Sequence, residues 1–290
     1  MQLDLRQCMF ATLSIFAFCY AGCDGLRERF TSSGNVGNVA AAPARVPKPE
    51  QSSSIHLMLG NPSGATADPA NFTNYLLVGE ISAISYNDDR GSANWISWRT
   101  TRSDLGDKIP RPDFRPDPRL PDDFQRIGHY DYSGSGLDRG HLVPSADRFA
   151  DRKQNEQTFY LSNIVPQTKD LNQFPWEKLE SYARYLARRG SDIYTIAGVY
   201  GDKGRLRRKV TIPTNCWKIL LVLKKGQGSN NIDQNTRVIA VDMPNIDGIE
   251  NDGWEKYKVS VRSIEQKTGY NFFDQLASEL QDILETRIDR

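Results

Sequence analysis

Histidine and cysteine are both scarce in this 290-residue chain, which has three of the first and four of the second. Cys8, Cys19 and Cys23 fall in the first 23 residues, so Cys216 stands alone in the remainder and no internal disulfide forms there. No Cys-x-x-Cys or paired-histidine spacing occurs, which argues against a structural zinc site. Net charge is nearly absent at +1, so any surface that attracts a polyanion must be built locally. The apolar run Met9–Phe18 is too short to span a bilayer. Hydrophobic content of 38% and charged content of 25% are those of a globular protein, which excludes disorder over the whole length.

That apolar run, preceded by Arg6 and followed by Ala21-Gly22-Cys23, reads as an export signal over residues 1–23. Tyr20-Ala21-Gly22-Cys23 resembles a lipoprotein cleavage box, so two forms of export stay open: a secreted or periplasmic protein, or one anchored to a membrane by lipid on Cys23. Residues 24–53 are rich in Ala, Pro, Ser, Gly and Asn and read as a disordered linker. A single domain is expected over 54–290. It holds strand-like runs at 75–86, 95–99, 193–199, 217–223 and 236–241, and a shorter strand or turn at 159–166. A helix is predicted from about Pro175 to Arg189, closed by Gly190, with Trp176, Leu179, Ala183 and Leu186 on its apolar face. A terminal helix is suggested by Phe273, Leu276, Leu280 and Ile283. Strands joined mostly by loops, with few helices, predict an α+β fold.

At the centre lies Gly136-Leu137-Asp138-Arg139-Gly140-His141-Leu142-Val143-Pro144-Ser145. A histidine titrates near neutral pH, so one held between an acid-base pair and a short apolar exit is a candidate general base. Thirty-one residues later comes Asn172, followed by Glu180 and Arg184 one turn apart on the predicted helix. Alone, those two are an ordinary surface ion pair worth a few tenths of a kcal/mol.

Together the two blocks resemble the DNA/RNA non-specific endonucleases. Asp138-Arg139-Gly140-His141 matches the family signature, and Asn163-Ile164-Val165-Pro166-Gln167 with Leu171-Asn172-Gln173, Trp176, Leu179 and Glu180 matches its second block. The resemblance implies a ββα-metal fold, a central and mostly antiparallel sheet flanked by helices. It implies that His141 is the general base, that Asn172 is the one direct ligand of Mg²⁺, with Mn²⁺ a possible substitute, and that Glu180 holds the ion through water. Arg184 would contact the phosphate, Asn163 would sit near His141, and Arg139 and Asp138 would shape the site. An upstream arginine also contacts phosphate in the family; Arg111 fits that place, with Arg115 as the alternative. The activity implied is hydrolysis of DNA and RNA, single- or double-stranded, through phosphate contacts, leaving 5′-phosphate and 3′-hydroxyl ends. A dedicated protein inhibitor is an implied partner. The competing reading is a catalytically weak nucleic-acid-binding or interaction protein on the same scaffold.

The chemistry is consistent with that assignment. Phosphodiester hydrolysis needs a nucleophile, neutralisation of the phosphoryl oxygens and help for the leaving alkoxide. A neutral imidazole supplies the first, and a hard cation that keeps most of its waters supplies the others. One amide and one carboxylate suit one metal rather than two. His56, His129 and Cys216 carry no partner pattern, and Trp95, Trp98 and Trp217 lie in strand-like runs that predict core positions.

Overall fold

The structure is a computed structural model that describes residues 54–290. The expected leader, residues 1–23 with Cys23, and the expected linker, residues 24–53, lie outside the described residues. In chain order the strands are β1 (Tyr75–Val78), β2 (Ala83–Asn87), β3 (Ser92–Thr100), β4 (Asp138–His141), β5 (Ile164–Gln167), β6 (Ser191–Tyr200), β7 (Arg205–Leu206), β8 (Val210–Thr211), β9 (Asn215–Lys224), β10 (Arg237–Pro244) and β11 (Lys258–Val259). The helices are α1 (Arg152–Gln157), α2 (Lys169–Leu171), α3 (Glu177–Arg188), α4 (Val261–Thr268) and α5 (Ser278–Thr286).

Seven strands form one sheet in the order β1-β2-β3-β6-β9-β10-β11, each antiparallel to its neighbours. Strand β9 shows how the sequence covers both faces. Successive side chains point to opposite sides, so Cys216, Leu220 and Val222 pack with Trp176, Leu179 and Ala187 of the α3 side. Trp217, Ile219, Leu221 and Leu223 pack on the other face with Ile264 of α4, Leu284 of α5 and Phe272. The pair β4–β5 lies on the α3 side, where Val165 joins the same cluster. This is the expected α+β architecture. Trp95, Trp98 and Trp217 are all buried, as is Cys216. His56 Nε2 donates to Glu80 O at 2.9 Å, and the residue is a packed structural histidine.

Three local differences have physical causes. The helical run ahead of α3 begins before Pro175: Thr168 caps α2, its Oγ1 accepting from Leu171 N at 3.3 Å. Asn172–Trp176 then forms a π turn with Pro175 inside it. Proline has no N–H to give the carbonyl four residues back, and the wider turn absorbs the missing bond. The C-terminal end is as expected, with Gly190 at φ +95° just past α3. The terminal helix starts later than its apolar spacing suggests, because Phe273 sits at φ +54° in the preceding turn and α5 begins at Ser278. Helix α4 has too short a periodic stretch to stand out, yet it carries a Ser260 cap and a left-handed Gly269.

Helices α4 and α5 enclose a pair of carboxylates. Glu285 is 1% exposed and lies 2.8 Å from the Arg262 guanidinium. Glu265 accepts from Phe272 N at 2.8 Å and is held up by burial. Burial, then the charge of Glu265, push the Glu285 carboxyl up to about 7. A carboxyl raised on folding stabilises the fold while protonated, so this contribution is complete below the ordinary 4.5 and is lost as pH rises through about 7. Glu285→Gln should therefore gain thermal stability relative to the unmodified protein as pH is raised across that window; a gap in melting temperature that does not change with pH would contradict it.

Candidate active site

Strands β4 and β5 bring the first motif into register, Asp138 opposite Gln167 and His141 opposite Ile164. The motif glycine has a steric reason: a Cβ on Gly140 would lie 1.9 Å from Gln167 Oε1, and Gln167 is fully buried and cannot swing away. The His141 ring packs against Phe159 at 5.0 Å and Phe114 at 5.5 Å between centroids. Its Nε2 is buried without a hydrogen-bond partner. Burial first, and the Arg111 charge second, push the imidazole down to about 3, so the ring is neutral at physiological pH. The His141 carbonyl accepts from Trp176 Nε1 at 3.2 Å, a tie to the helical segment carrying the second motif.

Asn163 sits directly behind the histidine. Its Oδ1 accepts from Val143 N at 2.9 Å, and its Nδ2 donates to Val143 O at 3.0 Å and Thr158 O at 2.8 Å. The whole side-chain amide is committed to backbone, so Asn163 is built to hold the segment leaving His141 in place.

Asp138 joins the two motif blocks. Its Oδ2 accepts from Asn172 Nδ2 at 2.9 Å and from Gln173 Nε2 at 2.8 Å. A carboxylate only accepts, so the amide nitrogen of Asn172 must face it and Oδ1 is the atom left to offer a cation. Asn172, Glu180 and Arg184 line one cleft of about 340 Å³ with His141, Gln173 and Glu177. Among the described residues no group of three or more His, Cys, Asp or Glu is arranged to hold a metal. The cleft offers amide and carboxylate oxygens, which suit a hard cation that keeps most of its own water.

Below the cleft the charges are paired, though not as the sequence spacing suggests. Glu180 and Arg184 do not pair with each other. Glu180 Oε1 accepts from Lys218 Nζ at 3.0 Å, and that ammonium lies 4.0 Å from the centre of the Trp176 ring. Burial pushes the Glu180 carboxyl up and the Lys218 ammonium down, and their contact opposes both shifts. Arg184 donates to Asp147 Oδ1 and Glu177 Oε1, both at 3.3 Å, and to Ser181 Oγ at 2.9 Å. Asp147 in turn accepts from Trp98 Nε1 at 3.1 Å and Thr100 Oγ1 at 2.9 Å.

Arg111 and Arg139 flank the histidine through Phe114, their guanidinium carbons 5.1 and 5.6 Å from that ring's centre. Arg115 is engaged elsewhere, over Tyr160 at 4.9 Å and 3.7 Å from Glu156. Of the two upstream arginines, Arg111 is the one whose charge acts on His141. Lys218 and Glu177 escape a reading of the motifs, and Asp147 and Gln173, which stand beside or within them, receive no role from it. Lys218 leaves one trace in the sequence: it is the only charged residue between Cys216 and Leu223, on the side of β9 whose other residues, Cys216 and Leu220, are core.

Comparison with known proteins identifies the family and the fold. The profile of the DNA/RNA non-specific endonucleases matches residues 60–279, a span that contains every residue of the cleft. A nuclease from Nostoc sp. is 45% identical over 238 residues, covering 81% of this chain and 86% of its own. Nuclease C1 of Cunninghamella echinulata is 33% identical over 234 residues, covering 74% and 89%. Human mitochondrial endonuclease G is 34% identical over 173 residues, covering 55% of this chain and 56% of its own. A chain in the crystal structure of the EndoG/EndoGI complex superposes with a TM-score of 0.61 at 24% identity, covering 71% of this chain and 88% of that one, and has the same fold. With the profile spanning both motif blocks and the fold shared, the chain belongs to the DNA/RNA non-specific endonuclease family.

Proposed function

We propose that the chain is an exported endonuclease that hydrolyses phosphodiester bonds of DNA and RNA with one divalent metal, leaving 5′-phosphate and 3′-hydroxyl ends. The observation that carries this reading is a neutral His141 sharing a cleft with an Asn172 whose amide is turned by Asp138. Export rests on the apolar Met9–Phe18 run.

Asn172 Oδ1 would hold Mg²⁺, or Mn²⁺ in its place, directly and Glu180 would hold it through water; bound there, the ion supplies charge neutralisation at the phosphoryl and leaving oxygens. His141 takes the proton of the attacking water. Nε2 is buried between phenylalanine rings, so Nδ1 is the acceptor. The Arg111 charge that helps hold the imidazole down is offset when an anionic phosphate arrives, which raises the basicity of the ring as substrate binds. Arg184, fixed by Asp147 and Glu177, presents its guanidinium to the phosphate. Arg111 and Arg139 supply positive charge on the other side of the His141 ring. Contacts confined to phosphate carry no base information, which accounts for action on any sequence and on either sugar. A protein inhibitor is a further proposed partner, as EndoGI is for EndoG.

The purified protein should digest plasmid DNA and RNA with Mg²⁺ or Mn²⁺; digestion of neither polymer with either ion would overturn the reading. His141→Ala should lower turnover by about 10²–10⁴-fold while oligonucleotide affinity, measured without metal, stays within about twofold. Retention of most turnover would remove His141 as the base. Asn172→Ala should weaken Mn²⁺ binding in a calorimetric titration by at least about tenfold, and an unchanged affinity would exclude Asn172 as the ligand.

A further inference from the structure

The hairpin β7–β8 carries a local conflict between sequence and conformation. Arg207 and Arg208 occupy consecutive positive-φ positions, +45° and +63°, and Lys209 N donates to Leu206 O at 2.8 Å across them. Two left-handed residues in succession are the pattern of a type I′ turn, which favours Asn-Gly. Two arginines are a costly way to build it, and strain of this kind is retained where the side chains have work to do.

The tip is held firmly relative to the catalytic strands. Leu206 and Val210 pack with Ile127, Tyr132, Leu161 and Ile164, and Ile164 is the partner of His141 in β5. Arg207 Nε donates to Tyr130 O at 2.8 Å. The Tyr130 side chain is left 79% exposed, the most exposed large hydrophobic among the described residues. A chain of contacts leads from there to His141. Arg139 Nη2 donates to His129 O at 3.0 Å, and Phe114, which Arg139 overlies, packs on the His141 ring.

The neighbouring cations are occupied. Lys209 lies 3.5 Å from Asp131, and Arg205 donates to Asp89 O at 2.7 Å. Arg207 and Arg208 have no ion-pair partner among the described residues. Two exposed guanidiniums with no carboxylate partner, Arg207 bonded only through Nε to Tyr130 O, beside an exposed aromatic ring match a strand of nucleic acid with an unpaired base: phosphates for the arginines and a π face for the tyrosine. We propose that Arg207, Arg208 and Tyr130 form a second nucleic-acid subsite beside the catalytic cleft, where the arginines take backbone phosphates and Tyr130 stacks on an unpaired base. The subsite rests on the nuclease reading and deepens it, because it favours single-stranded or frayed substrate over closed duplex.

The test is fluorescence anisotropy of the full chain in EDTA, with a labelled single-stranded oligonucleotide and with its blunt duplex, across a range of salt. Arg207→Asn/Arg208→Gly installs the pair the turn prefers, so the fold keeps or gains thermal stability while the charge is removed. Its plot of log affinity against log salt for the single strand should be shallower by about 1.4, at about 0.7 for each phosphate left without its arginine. Tyr130→Ala should weaken single-strand binding at least about fivefold and duplex binding less than about twofold, with Tyr130→Phe restoring the difference. If the unmodified protein digests nucleic acid but the variants bind the single strand as it does, the subsite is wrong and the nuclease reading stands. If the unmodified protein neither binds nor digests, the nuclease reading itself fails. An arginine effect reproduced in full with heparin, alongside no effect of Tyr130→Ala, also overturns the subsite and marks the tip as a general anion patch.

Discussion

The hydrogen bond from Asn172 Nδ2 to Asp138 Oδ2 is the contact on which the rest of the cleft depends. It joins β4 to the π turn ahead of α3, two segments that the chain separates by more than thirty residues. It also decides which atom of a symmetric-looking amide faces the cleft, since a carboxylate has no proton to give. A second tie, from Trp176 Nε1 to the His141 carbonyl, fixes the same two segments one turn further on. The π turn follows from Pro175, whose missing N–H forbids a regular turn. The irregularity in the helix and the placement of Asn172 therefore share one cause.

Beneath that contact, α3 turns two charged side chains toward the cleft and satisfies each from the sheet or from a loop. Lys218 reaches Glu180 from β9, and Asp147 reaches Arg184 from the segment after His141. Buried ion pairs of this kind are weak contributors to stability, because desolvation offsets most of the attraction, whereas removing one partner strands the other. Their value here is orientation. Each pair leaves its cleft-facing group in one position, and Trp98, Thr100 and Trp176 close the network from the apolar side. Glu180 and Arg184 are a turn apart, yet each makes its hydrogen bonds elsewhere, and the Arg184 charge acts on the Glu180 carboxyl without an ion pair between them.

The sequence discloses the strands of the sheet as short apolar runs bounded by turn residues, and the first motif through the rarity of histidine and the glycine before it. The family resemblance, and not the spacing alone, groups His141, Asn172, Glu180 and Arg184, and all four line the cleft. What stays hidden is nonlocal. No spacing rule reports that Gln167 fills the space a Gly140 side chain would need, or that Asn163 spends its amide on Val143 and Thr158. Lys218 reads as one polar residue in a strand until α3 is laid over it. The start of the helical run differs from its expected place because Pro175 is at home in a first turn and is accommodated here by a π turn instead. Arg111 and Arg115 are alike in sequence and separate only when Phe114 and Glu156 are placed beside them.

The central claim is that Asp138 presents the Asn172 oxygen to a divalent cation, and the direct measurement is a calorimetric Mn²⁺ titration of Asp138→Ala beside the unmodified protein. The account predicts a folded variant, with an unchanged far-ultraviolet spectrum, whose Mn²⁺ affinity is about 10–100-fold weaker, the usual cost of losing the group that orients a metal ligand. A folded variant that binds Mn²⁺ as tightly as the unmodified protein would contradict it.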